Sequence, residues 1–88
     1  MRTTNQEDAM ANRYYVTIAG KCGTTYPLHK NSEPIYLFTN DSNTRGFEFH
    51  RHGKGWRVTV RNYMSGTKSS WGQSYDTLKE GVRDIFGI

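Results

Sequence analysis

The 88-residue chain holds one cysteine and two prolines, and no apolar run approaches the roughly 20 residues that a membrane-crossing helix requires. Cys22 has no second cysteine to pair with, and no basic-then-apolar leader opens the chain, so a reducing, cytoplasmic setting without membrane contact is expected. Apolar residues are scarce as well, at 34%. A chain of this length and composition supports one small core, hence one domain. Two Trp, six Tyr and four Phe are available to fill it, so large rings must supply much of the buried area.

Acidic residues are missing from one stretch in particular. Residues 45–68 carry Arg45, Arg51, Lys54, Arg57, Arg61 and Lys68 against a single acid, Glu48, with His50 and His52 between them. The segments on either side are balanced or slightly acidic, so the formal net charge of +4 is a local property of this stretch. A basic face of this kind suits phosphate or an acidic protein surface.

Residues 1–12 are polar and aperiodic and are expected to form a flexible arm outside a single domain at 13–88. Residues 13–18 alternate, with Tyr14, Val16 and Ile18 on one side, and predict a first strand. Residues 19–31, rich in Gly, Lys and Thr, are expected to loop, and residues 34–39 to form a well-covered strand. Residues 46–52 place Phe47, Phe49 and Arg51 on one face and Glu48, His50 and His52 on the other; residues 55–61 set Trp56, Val58 and Val60 against Arg57, Thr59 and Arg61. Gly53 and Lys54 join these two strands in a tight hairpin. A shorter strand around 69–74 carries Trp71, after which the period changes to that of a helix. Thr77 and Glu80 have the spacing of a capping box, and Leu78, Val82, Ile85 and Phe86 share one helical face. The expected fold class is α+β, an antiparallel four- to five-stranded sheet with one C-terminal helix packed on one face. The other face is left open to display Glu48, His50, His52, Arg57, Thr59 and Arg61.

His50 and His52 point the same way on their strand and are compatible with two ligands of a metal, to which Cys22 and His29 would add two more. The spacing matches no zinc signature, and neither a metal nor a cofactor is expected. The Ser, Thr and His residues form no nucleophile motif, and Gly53-Lys54-Gly55 lacks the longer glycine pattern of a phosphate loop, so no catalysis is expected either. The chain reads instead as a non-catalytic binding module. Its first candidate partner is nucleic acid, DNA ahead of RNA, held by His50, Arg51, His52, Lys54, Arg57, Arg61 and Lys68, with Trp71 or Tyr63 at the rim to stack on bases.

Two motifs in this region carry a resemblance. Gly53-Lys54-Gly55-Trp56-Arg57-Val58-Thr59-Val60-Arg61 and Trp71-Gly72-Gln73-Ser74-Tyr75-Asp76-Thr77 are similar to the second and third strands of the plant ethylene-response-factor, or Apetala-type, DNA-binding domain. That family packs a three-stranded sheet on a helix and reads the major groove with the sheet. The resemblance covers residues 47–86 and implies DNA contact by Arg51, Arg61 and Trp71. The chain departs from the family pattern at Phe49, Thr59 and Ser69 and around His52 and Gly53. The family register puts Phe49 and Arg51 on the reading face, whereas the alternation puts Phe47 and Phe49 in the core; both hold only with a bulge.

The competing expectation is a protein partner. In size and style the chain resembles the small accessory proteins of phages and mobile elements that inhibit a host protein by occluding it. Such a module would use aromatic anchors, with Tyr36, Tyr63, Trp71 and Tyr75 as candidates, against an acidic host protein. A free sheet edge would leave it a monomer or pair it into a homodimer.

Overall fold

The computed structural model describes residues 13–27 and 34–88. The expected arm at 1–12, and His29 with its neighbours, lie outside the described residues. Six strands follow one another, β1 (Tyr14–Ile18), β2 (Lys21–Pro27), β3 (Pro34–Thr39), β4 (Arg45–His52), β5 (Gly55–Asn62) and β6 (Thr67–Tyr75), and helix α1 (Leu78–Phe86) closes the chain. The strands pair in chain order as an antiparallel meander. The α+β reading therefore stands with one more strand than expected. The extra strand is β2, which lies inside the stretch read as a loop.

Two local features explain β2. Ala19 and Gly20 both adopt positive φ, 54° and 81°, the backbone demanded by a two-residue hairpin whose twist matches its strands. Gly23 looks like a breaker in sequence, yet a side chain there would run into the ring of Phe38 on β3. Glycine lets the two strands pair while that ring lies across the gap.

The later turns follow their side chains. Asn40 Oδ1 accepts from the backbone N–H of Thr44 and of Arg45, both at 3.0 Å, and Asn62 Oδ1 accepts from Met64 at 3.0 Å and Ser65 at 3.2 Å. Thr77 caps α1 by accepting from the Glu80 N–H at 3.1 Å. Gly87, in the left-handed conformation, ends the helix by donating to the Arg83 carbonyl.

The core lies between one sheet face and the helix. Phe38, Phe47, Phe49, Trp56, Val58, Tyr75 and Val82 are buried, and Leu78, Ile85 and Phe86 pack against them from α1. The rings meet edge to face: Phe38 on Phe49 at 5.7 Å, Phe47 on Trp71 at 5.6 Å and Phe47 on Phe86 at 5.3 Å. Gly81 permits the closest approach, since a side chain there would collide with Phe49 and Tyr75. Tyr75 donates its hydroxyl hydrogen to Asp84 at 2.7 Å and accepts from the Trp71 indole at 2.8 Å, which clips β6 to the helix. The helix touches both β1 and β6, the two outer strands, so the sheet curls around it and turns its other face outward as a convex surface.

Candidate nucleic-acid interface

The β4–β5 register decides which cations face outward. Phe47 pairs with Val60, Phe49 with Val58 and Arg51 with Trp56, so these six residues share the helix side. Glu48 pairs with Thr59 and His50 with Arg57, so these four share the convex side, and the alternation carries Arg61 there as well. Phe49 is fully buried in the core. The register implied by the resemblance, with Phe49 and Arg51 outward, is therefore not the one adopted on β4.

Arg51 is thereby separated from the other expected contact residues. Its guanidinium stacks over the Trp56 ring at 4.9 Å from the centroid, on the helix side of the sheet. Trp71 is also on that side, edge-on to Phe47 and hydrogen-bonded to Tyr75. Neither residue reaches the convex face. Among the expected aromatic anchors, Tyr75 is buried and Tyr36 packs edge-on against Trp56 at 5.5 Å. Only Tyr63 remains substantially exposed, at 43%.

Glu48 was expected on display and is instead 3% exposed. Its neighbours in the register are Leu37 on β3 and Thr59 on β5. Next to it the Tyr63 ring folds back over Gly46, and a side chain at position 46 would collide with that ring and press on Leu37. A buried carboxylate is costly unless paired. Here Arg61 Nε lies 2.5 Å from Glu48 Oε2 and His50 Nε2 lies 3.5 Å from Oε1. The Arg61 contact is an ion pair without the alignment of a hydrogen bond, since the buried Nε has no geometrically sound acceptor. Tyr26 borders the same cluster; burial first, and the Glu48 charge second, push its hydroxyl pKa up, while Arg13 stacks on its ring at 5.0 Å.

The single acid of the basic stretch is therefore covered and offset. Arg57 is exposed on the convex side opposite His50. Lys68 is exposed on β6, directly opposite Arg61. His52 and Lys54 are exposed at the hairpin end of the same strands. With Glu48 committed to Arg61 and His50, the charges of Arg57 and Lys68 are left to solvent or to an added anion. Among the described residues, no group of three or more His, Cys, Asp or Glu side chains is gathered as a metal site.

Sequence reasoning missed a groove on this surface. The β5–β6 register slips between Arg57, which pairs with Ser74, and Thr59, which pairs with Ser70. The three residues between Ser70 and Ser74 thus face only Val58, and Gly72 takes φ 88°. The arch leaves a half-open hollow of about 320 Å³ bordered by Arg57, Thr59, Ser70, Gln73 and Ser74. Gly72 in the middle of a strand pattern was the available signal, since glycine there often marks a bulge.

Also unforeseen is the outer edge, where Tyr14 is 61% and Tyr15 84% exposed on β1. Comparison with protein-family models, with curated proteins and with solved structures finds no match to this chain.

Proposed function

We propose that this protein is a non-catalytic binding module that holds nucleic acid against the convex side of β4–β6. The observation that carries the reading is the outward set of Arg57, Lys68, His50, His52 and Lys54, with the one nearby acid, Glu48, buried beneath Arg61. A convex, hydroxyl-rich and cationic surface suits a phosphate backbone, which rewards clustered positive charge through release of its counterions. Among the described residues Tyr63, 43% exposed beside Arg61 and Lys68, is the exposed aromatic at this surface, so the reading rests mainly on charge and hydrogen bonding rather than on stacking.

Amide chemical-shift mapping with a short single-stranded and a short duplex DNA tests it. Shifts centred on residues 48–61 and 67–75 are the expected result. Shifts confined to β1, or none at low salt, would refute it.

A second reading, a protein partner occluded by this chain, draws on the exposed Tyr14 and Tyr15 of edge strand β1. Large amphipathic rings on the outermost strand of the described sheet are the chemistry of β-augmentation. Under that reading Tyr15→Ala would abolish a stoichiometric complex that Arg57→Ala leaves intact.

A further inference from the structure

We infer that the hollow at the β5–β6 bulge is a site for one phosphate group. The inference rests on the proposed binding face and names the group that this part of it takes.

Its walls supply one guanidinium from Arg57, hydroxyls from Thr59, Ser70 and Ser74, and the carboxamide of Gln73. Among the described residues no carboxylate borders it, so its polarity is that of an anion site and not of a cation site. Arg57 is exposed, and the residues directly opposite it on β4 and β6 are His50 and Ser74, neither of them an acid.

The backbone is open at the same place. Val58, Trp71, Gly72 and Gln73 stand outside the β5–β6 register, so the even ladder is interrupted there, and Gly72, Gln73 and Ser74 are exposed. An oxyanion seated beside Arg57 would lie against this irregular, accessible backbone, in the manner of the concavities that bind anions at irregular turns. Gly72, at positive φ with open space where a side chain would stand, keeps the approach clear.

The volume sets a limit. At about 320 Å³ the hollow is at the small end of ligand sites, enough for a phosphate with its attached sugar. The same chemistry arises from a phosphate within or at the end of a nucleic-acid strand and from a free phosphate ester.

Three titrations of isotope-labelled protein separate these sources: inorganic phosphate, adenosine monophosphate and a short single-stranded DNA. The parent is compared with Gln73→Glu, which places a carboxylate in the hollow without touching the core. The expected result is that phosphate and the monophosphate shift the amides of residues 70–74, and that Gln73→Glu abolishes those shifts and weakens DNA binding at least tenfold. Amides unmoved by phosphate, or Gln73→Glu binding DNA as the parent does, would overturn the inference while leaving the broader basic face intact. Phosphate shifts in the hollow with no DNA binding would support the phosphate site, name a free ester as its source and overturn the nucleic-acid reading alone.

Discussion

The Arg61 guanidinium is anchored on the buried carboxylate of Glu48, two strand neighbours whose charges cancel beneath an otherwise cationic surface. Arg61 is thus a structural residue in part. The charge available to a ligand is carried by its neighbours Arg57 and Lys68.

Removing Arg61 should strand that carboxylate. Arg61→Ala is expected to cost about 2 to 3 kcal/mol, less than a fully buried pair because the Arg61 side chain is 39% exposed. Adding Glu48→Gln to the same chain should recover most of the loss. Denaturant unfolding of the parent, both single variants and the double variant measures the coupling. Additive losses would contradict the pairing.

Arg51 and Arg57 are separated by the sheet itself. Arg51→Ala should leave nucleic-acid affinity within about twofold and lower stability by about 0.5 to 1 kcal/mol through loss of its stacking on Trp56. Arg57→Ala should do the reverse, weakening binding with little change in unfolding. Equal losses of affinity in both would favour the reading face implied by the ethylene-response-factor resemblance.

Packing at Gly23 gives a test of the fold. Gly23→Ala pushes a methyl group into the Phe38 ring and the Leu37 carbonyl and should cost about 1 to 3 kcal/mol. Gly20→Asn, in open space at φ 81°, should cost far less, because asparagine tolerates that backbone. Thermal unfolding of the two variants side by side reads the difference.

High pH should loosen the clip between β6 and the helix. Burial, and then the hydrogen bond to Asp84, raise the Tyr75 pKa above its ordinary value of 10.0. The folded state therefore favours the neutral phenol. Its contribution is complete below the unfolded pKa and is lost as pH rises through the folded one. Stability should fall above about pH 10, and Tyr75→Phe should be less stable than the parent at neutral pH by about 1 kcal/mol while losing part of that alkaline decline. Tyr26, raised by burial and by Glu48, adds to the same decline, so Tyr26→Phe is the matched control.

The hairpin of β4 and β5 was legible because strict alternation survives there: Phe47, Phe49, Trp56, Val58 and Val60 mark one face without interruption. The helix was legible from Thr77, Glu80 and the spacing of Leu78, Val82, Ile85 and Phe86. Strand β2 was not, because its apolar signal is only Cys22 and Tyr26 and its Gly23 serves a ring on a different strand. Burial of Glu48 was equally hidden. Alternation says which face a side chain takes, whereas the neighbours that enclose Glu48 are Leu37 and Thr59 on the flanking strands and the Arg61 side chain. The groove by Arg57 depends on a register slip that alternation alone does not place, and Gly72 beside Trp71 was its one signal in the sequence.

The central claim is that clustered charge on β4–β6 binds a polyanion, and the salt dependence of affinity addresses it most directly. Binding of a labelled oligonucleotide is measured from low to moderate salt for the parent and for Arg57→Ala/Lys68→Ala. Affinity that falls log-linearly with salt, and a slope smaller by about 2 in the double variant, is the expected outcome. An affinity indifferent to salt, or a slope unchanged by the two substitutions, would show that this surface is not where a nucleic acid is held.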